Sequence, residues 1–131
     1  MSYPTMPVTS AILLFAHGAR DPRWAAPFEA VAASIRRAAP ERVVALAFLE
    51  LMEPGLPAAV DRLAAGGATR IDIVPLFLGT GGHLRKDLPP LVDAARADHP
   101  GVVIELHAAI GEHDAVVGAM ARAALAVAGP R

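Results

Sequence analysis

Four short apolar runs, each followed by a segment with helical periodicity, constrain the fold of this chain more than any other feature. The first run, residues 11–16, is continuous and apolar, which is typical of a strand buried on both faces. Such strands belong to parallel sheets covered by helices. The other runs lie at residues 43–49, 71–78 and 102–106. This alternation predicts an α/β fold of three layers, with a four-stranded, mainly parallel sheet and helices on both faces.

Local signals mark where the helices begin. Asp21 followed by Pro22 has the pattern of an N-cap with proline in the first turn. A third helix is predicted to begin at Asp87, with prolines 89 and 90 in its first turn, and a fourth at about Asp114. The length of 131 residues fits one domain. We expect a tail at residues 1–10, the α/β domain at 11–127 and a second tail at 128–131.

Composition excludes several classes of function. The net charge is −1 and only six residues are Phe, Trp or Tyr, so neither a basic field nor stacking platforms indicate a nucleic-acid partner. The absence of cysteine excludes thiol nucleophiles, disulfides and cysteine-based metal sites. No apolar run approaches the ~20 residues that span a bilayer. We therefore expect a cytoplasmic protein with no membrane partner.

Reactive side chains follow the carboxyl end of every predicted strand. His17 comes after the first strand, Glu50 after the second, His83 after the third and His107 after the fourth. Ligands of open parallel sheets bind beyond the carboxyl ends of the strands, so these side chains are predicted to share one edge. Imidazole and carboxylate groups suit divalent cobalt, iron, nickel or zinc. The pattern predicts a metal-binding or proton-transfer site.

The loop after the third strand combines three glycines with two cations, at Gly79, Gly81, Gly82, Arg85 and Lys86. Glycines allow positive φ values and a close approach of backbone to a ligand. The spacing matches neither a P-loop nor a dinucleotide fingerprint, so ATP and NAD are unsupported. An ordinary strand-to-helix loop with two solvated cations is the alternative.

Each candidate also has a purely structural interpretation. The imidazole of His17 could bond to backbone, and Glu50 could pair with a loop arginine. His107 and His113 fit structural roles better than functional ones. Asp21 and Asp87 are interpreted as helix caps.

Four segments carry a resemblance to a known family: residues 17–22 (HGARDP), 48–50 with Pro54, 75–89 and 110–113. They resemble the small CbiX-type sirohydrochlorin chelatases of the class II chelatase superfamily, and the similarity extends over roughly residues 12–125. One departure is Ala19, where the family often has serine, which removes a hydroxyl contact.

The resemblance implies a chelatase-like, flavodoxin-like module that inserts a divalent metal into sirohydrochlorin, in cobalamin or related modified-tetrapyrrole biosynthesis. Co²⁺ is the first choice, with Fe²⁺ or Ni²⁺ as alternatives. The metal is a substrate, and neither ATP nor a tightly bound cofactor is implied. His17 and His83 match the family's metal-binding histidines, and Glu50 would bind the metal or take a pyrrole proton. A single module of this kind is expected to pair as a homodimer.

The same resemblance assigns the substrate-binding residues. Arg20, Arg85 and Lys86 would pair with the peripheral carboxylates of the tetrapyrrole. Gly81 and Gly82 would give clearance for its flat ring.

Two other functions use the same residues. A histidine-dependent phosphatase is one, because His17-Gly18 follows the first strand. Its motif needs arginine where this chain has Ala16. A non-catalytic carrier of metal or tetrapyrrole is the other.

Overall fold

Alternating strands and helices form a single four-stranded sheet in the computed structural model, which describes residues 9–79 and 81–130 and only the backbone of residue 83. The strands are β1 (Ser10–Ala16), β2 (Val43–Phe48), β3 (Arg70–Pro75) and β4 (Val103–Leu106). The helices are α1 (Ala26–Ala38), α2 (Leu56–Ala65), α3 (Gly82–Asp98) and α4 (Asp114–Ala128), with 3₁₀ turns at Pro22–Ala25 and Ile110–Glu112. All strands are parallel, in the order β2-β1-β3-β4. The predicted fold class is confirmed.

The two faces of the sheet are covered unequally. Alternate residues of the central strand β1, such as Leu13 and Phe15, are fully buried in a large apolar cluster with α2 and α3. Leu14, which points the other way, packs in a smaller cluster with Ala32 of α1. Helix α4 covers neither face. None of its residues is buried, and it packs chiefly against the 3₁₀ turn that precedes it.

The start of α3 differs from the prediction. The helix begins at Gly82, five residues earlier than expected, and its N-cap is Gly81. Asp87 therefore lies inside the helix and is not its cap, which corrects that assignment. Pro89 and Pro90 lie in the helix interior rather than in its first turn. The prediction placed the helix start by the preference of Asp and Pro for the first turn. In the structure, Leu84 and Leu88 pack on the core, and the helix therefore begins before Asp87.

Strand β3 ends at Pro75, three residues before the predicted end at Leu78, whereas the other boundaries follow the local signals more closely. The carboxylate of Asp21 accepts a hydrogen bond from the Arg23 N–H at 2.9 Å, as an N-cap should, and Pro22 begins the 3₁₀ turn. Of the predicted tails, residues 1–8 and 131 lie outside the described residues. Strand β1 begins at Ser10, and α4 ends at Ala128.

Candidate functional site

The strand order reverses between β1 and β3, and this reversal places a crevice at the carboxyl edge of the sheet. From β1 the chain continues through α1 on one face, and from β3 it continues through α3 on the other. The loops that leave two such strands diverge, and ligands of doubly wound sheets bind between them. His17 begins the loop after β1, and residues 76–79 and 81 belong to the loop after β3. The predicted site lies at this switch point.

The imidazole of His17 and the carboxylate of Glu50 stand together at this edge. His17 Nε2 is 3.4 Å from Glu50 Oε1, and the two side chains are 50% and 57% exposed. The backbone brings them together, because pairing between β1 and β2 continues beyond the strand ends. The Leu49 N–H donates to the Ala16 carbonyl at 2.9 Å, and the Glu50 N–H donates to the His17 carbonyl at 3.1 Å.

Gly18 is required for this close pairing, although the sequence did not single it out. Its φ is +102°, a conformation that residues with a side chain rarely adopt. A Cβ at this position would overlap the backbone carbonyl of Glu50. Glycine therefore lets the loop after β1 lie directly against the loop after β2.

Three apolar residues of the site were also missed. The buried ring of Phe77 contacts the His17 imidazole edge-on, with ring centroids 6.2 Å apart, and so fixes one side of it. Leu78, in the loop after β3, is 72% exposed. Leu51, with a φ of +66°, is also exposed. In the sequence, Leu78 looked like the end of a buried strand. No local signal distinguished it from a core residue.

The separation of His17 and Glu50 fits two ligands of one ion. Bonds of about 2.1 Å to a tetrahedral ion place two ligand atoms roughly 3.4 Å apart. Among the side chains that the structure describes, no three histidine or acidic residues form a group able to hold a metal. The predicted third member, His83, has its backbone in the first turn of α3 at this edge, while its side chain lies outside the described residues.

The loop after β3 is open to solvent, but its glycines do not adopt the positive φ values that they were expected to allow. None of Gly79, Gly81 and Gly82 has a positive φ, so that expectation is wrong. A Cβ at each of them would meet nothing within 4 Å, which leaves free space above the backbone. The side chains of Arg85 and Lys86 in α3 are exposed.

Arg20, in the loop after β1, is exposed as well. Within the described part of the chain, no ion pair is seen for Arg20, Arg85 or Lys86. These cations are therefore available to an anionic ligand. Arg23, by contrast, forms an ion pair with Asp21 at 2.8 Å.

A model of the CbiX family matches residues 11–126 of this chain. The chain belongs to the CbiX family.

Solved structures and named relatives agree with this assignment. A CbiX protein from Marinobacter aquaeolei VT8, described as one of cobalamin (vitamin B12) biosynthesis, has 36% sequence identity and a TM-score of 0.77, over 88% of this chain and 93% of that one. The sirohydrochlorin chelatase SirB from Bacillus subtilis subspecies spizizenii, solved with cobalt, has 30% identity and a TM-score of 0.76, over 88% of this chain and 49% of its own.

The sirohydrochlorin cobaltochelatase of Methanococcus aeolicus is 33% identical over 82 residues, or 63% of this chain. The aligned part spans 57% of that relative's own length. The chain therefore spans little more than half of the length of that relative.

His107 of this CbiX chain lies at the same sheet edge but does not join His17 and Glu50. Its Nε2 is 2.8 Å from Asp72 Oδ1, and Arg70 donates to the same carboxylate at 2.9 Å. Burial tends to raise the pKa of Asp72, but hydrogen bonds from Arg70 and His107 outweigh it and hold the pKa below its ordinary value. His107 thus belongs to an ion-pair cluster on the α1 face of β3 and β4.

His113 has a structural role as well. Its Nδ1 accepts a hydrogen bond from the Ala115 N–H at 3.1 Å, which caps α4. Among the described residues, the CbiX chain has no helix with the length and hydrophobicity needed to cross a membrane.

Proposed function

We propose that this protein inserts a divalent metal into sirohydrochlorin without ATP, with Co²⁺ as the first metal and Fe²⁺ or Ni²⁺ as alternatives. The observation that carries the proposal is the pairing of His17 Nε2 with Glu50 Oε1 at 3.4 Å in an open crevice. Membership of the CbiX family, and relatives named as cobaltochelatases, support this chemistry.

Insertion exchanges two protons for one metal ion. Two pyrrole N–H bonds break as two metal–nitrogen bonds form, and both protons must reach a base or water. A neutral imidazole at His17 can hold the incoming ion, and Glu50 can either share that ion or accept a pyrrole proton. We assign His83 as the second metal-binding histidine. Few protein ligands are an advantage here, because the site must release the ion to the macrocycle.

Substrate recognition follows from the surroundings of the pair. The exposed cations Arg20, Arg85 and Lys86 suit the peripheral carboxylates of the macrocycle through charge-assisted hydrogen bonds. The open surface above Gly81 and Gly82 leaves room for a flat ring. One module supplies one wall of such a cleft, so a homodimer, working in the cytoplasm, is part of the proposal.

The decisive experiment follows the absorbance of sirohydrochlorin with Co²⁺, Fe²⁺ or Ni²⁺, with and without the protein. We expect many turnovers per chain with the preferred metal, and His83→Ala should abolish insertion while circular dichroism stays unchanged. His99→Ala is the matched control, since His99 bonds Asp61 at 2.7 Å beyond the far end of α3.

Two results would contradict the proposal. Near-normal insertion by His83→Ala would remove the assigned metal site. Binding of one metal or one tetrapyrrole per site without turnover would make the protein a carrier instead. Metal preference is measured in the same assay, because first-row affinity order alone would favour later metals at any nitrogen–oxygen site.

A further inference from the structure

Two glycines of this chain lie directly against the backbone of another loop, and both are at the carboxyl edge of the sheet. Among the described residues, only Gly18 and Gly111 would bring an added Cβ closer than 3.0 Å to another atom. Gly18 meets the Glu50 carbonyl, which joins the loops after β1 and β2. Gly111, in the 3₁₀ turn Ile110–Glu112, would collide with the carbonyl oxygen and the Cα of Leu78. The loops after β3 and β4 are therefore packed together in the same way.

The need for glycine at residue 111 comes from contact and not from backbone conformation. The φ of Gly111 is not positive, in contrast to that of Gly18. Gly111 is buried, and its N–H donates to the Phe77 carbonyl at 2.9 Å. A side chain at this position would push the turn away from the loop after β3 and weaken that hydrogen bond. Glycine thus permits a contact between two backbones that a larger residue would prevent.

The turn that carries Gly111 is itself fixed to the sheet. Pairing between β3 and β4 continues beyond the end of β4, because the His107 N–H donates to the Ile73 carbonyl at 3.0 Å. Ala109, which precedes the turn, is buried in the large apolar cluster. The Glu112 N–H donates to the Ala109 carbonyl at 3.0 Å. The turn is therefore a firm support for the loop after β3.

Phe77, whose carbonyl Gly111 binds, lies between the core and the candidate site. Its ring packs edge-on against Phe15 of β1, with centroids 6.0 Å apart, and edge-on against the His17 imidazole at 6.2 Å. Phe15 and His17 are two residues apart, so their side chains leave the chain on the same side and one ring contacts both. Because Phe77 is only 8% exposed, its ring has little freedom of its own. A displacement of its backbone would move the ring away from the imidazole.

The imidazole of His17 has few other restraints. Its side chain is 50% exposed, and its Nε2 lies 3.4 Å from Glu50 Oε1. Within the part of the chain that the structure describes, Glu50 provides its one ion-pair contact and Phe77 its one ring contact. If the carboxylate turns to the metal or to a pyrrole proton, the Phe77 ring stays as the constant restraint. An imidazole that is restrained in advance binds a metal ion with a smaller loss of entropy.

We propose that the turn Ile110–Glu112 is a positioning element of the metal site, which acts on His17 through Gly111 and the ring of Phe77. Gly111 and Phe77 are positioning residues, because neither has a side-chain group that can bind a metal ion or transfer a proton. Only the role of His17 as a metal ligand is taken from the proposed function. The loop after β4 then contributes to the metal site without supplying a ligand.

Binding of Co²⁺ to the unaltered chain and to its variants tests this role in the absence of sirohydrochlorin. Phe77→Leu keeps an apolar side chain in the core but removes the ring, and Gly111→Ala adds only the colliding methyl group. Each should raise the Kd for Co²⁺ about two- to tenfold, the factor that corresponds to ordering one side chain on binding. Isothermal titration calorimetry measures the Kd. In the insertion assay, the KM for Co²⁺ should rise by a similar factor while kcat stays within about twofold.

Gly67→Ala and Ile71→Val are controls for strain and for lost core volume. Gly67 has a positive φ and precedes β3, and Ile71 is fully buried at the amino end of β3, so both lie away from the site. Both variants should be less stable than the unaltered chain and should bind Co²⁺ equally well.

A double variant, Gly111→Ala with Phe77→Leu, separates a direct effect of Gly111 from one that passes through the ring. If Gly111 acts through Phe77, the double variant should bind Co²⁺ no more weakly than Phe77→Leu alone.

The order of the His17 ring is a readout that destabilisation alone would not change. It is measured by ¹³C NMR relaxation without metal, and the spectrum of His17→Ala identifies the resonance among those of the five histidines. The order parameter should be about 0.85, as in ordered groups, in the unaltered chain and in both controls. It should fall towards about 0.6 in Phe77→Leu and in Gly111→Ala.

Circular dichroism checks the folding of each variant. If Gly111→Ala does not fold, Ala109→Gly takes its place, since it loosens the anchor of the same turn in the core. Ala109→Gly should then weaken Co²⁺ binding and lower the order of the His17 ring in the same direction.

Three outcomes would overturn the positioning role. They are Co²⁺ affinities of the Phe77 and Gly111 variants that match the controls, an unchanged order parameter, and additive losses in the double variant. Failure of the proposed function is distinguishable from these. A chain that binds Co²⁺ with His17 but gives no turnover with sirohydrochlorin would count against the insertion reaction alone. Co²⁺ binding that His17→Ala does not weaken would contradict both.

Discussion

At the scale of single residues, the site depends on two half-exposed side chains whose positions are set by backbone bonds. Neither His17 nor Glu50 is held by burial. The interlocked loops after β1 and β2 hold them, through the Glu50 N–H bond to the His17 carbonyl. Changing either side chain should therefore alter chemistry and leave the fold intact.

Glu50→Gln and His17→Ala should each lower kcat for Co²⁺ insertion by about 100-fold or more, the usual contribution of a positioned acid–base group. The thermal midpoint should change little, because both side chains are about half exposed. The KM for Co²⁺ then separates the two roles of Glu50. A raised KM indicates a ligand, and an unchanged KM with reduced kcat indicates a base. Rates within twofold of the unaltered protein would exclude both.

Asp72→Asn should lower the free energy of unfolding by about 1–3 kcal/mol at pH 7, because the Arg70 guanidinium and His107 lose their shared carboxylate. The pKa of Asp72 is depressed, so its stabilising effect is complete above the ordinary value near 3.9 and fades as pH falls below it. The difference between variant and parent should shrink below about pH 4. Urea unfolding at stepwise lower pH measures this.

The control for this prediction is Asp93→Asn. Asp93 pairs with Arg96 at 3.0 Å, but its side chain is 69% exposed. Exposed pairs contribute at most about 1 kcal/mol, so the control should change stability little at any pH. Equal losses in both variants would show that the Asp72 cluster contributes no more than a surface pair.

At the scale of the elements, the loops that end β1 and β2 carry the unusual backbone. Gly18 and Leu51 both have positive φ, and both flank the His17–Glu50 pair. Strain of this kind persists only where the surroundings impose it, and it is concentrated at functional sites.

Gly18→Ala should cost about 2–3 kcal/mol of stability, because it adds a collision with the Glu50 carbonyl to the strain of positive φ. Gly67→Ala is the matched control. Gly67 has a φ of +98°, but a Cβ there would meet nothing within 4 Å. Gly67→Ala should lower the free energy of unfolding by about 1–2 kcal/mol, from the strain of positive φ alone. Denaturant unfolding compares the two, and identical losses would show that the loops can separate freely.

Leu51→Gly should leave the free energy of unfolding within about 1 kcal/mol of the parent, because relief of the positive φ offsets the extra chain entropy of glycine. The KM for sirohydrochlorin should rise severalfold if Leu51 contacts the ring. Leu78→Gly, at a residue without positive φ, gives the comparison without strain relief. An unchanged KM in both variants would show that Leu51 and Leu78 do not contribute to binding of sirohydrochlorin.

At the scale of the whole molecule, protection from hydrogen exchange should follow burial. The amides of β1, which lies between two paired strands and is covered by helices on both faces, should exchange slowest with solvent. The amides of β4, an edge strand whose Val103 is 54% exposed, should exchange faster. Hydrogen exchange with mass spectrometry measures both, and equal protection of the two strands would contradict this order.

Much of the fold and part of the site could be predicted from the sequence. Predominantly apolar runs identify β1 to β4, since hydrophobic patterning is a local property of the sequence. Because parallel strands end at one edge, the nearness of His17 and Glu50 also followed from their places after β1 and β2. The start of α3 could not be predicted from the sequence, because the helix begins early only through the packing of Leu84 and Leu88 on the core.

Only the tertiary structure decided which neighbours each of these residues has. Gly18 and Leu51 owe their importance to the approach of two loops, and the partner of His107 is Asp72 across the sheet. The sequence by itself determined the sheet, its edge and the residue types that meet there. The exposure of α4 emerged only in three dimensions, because an apolar helix has the same sequence pattern whether or not its own chain buries it.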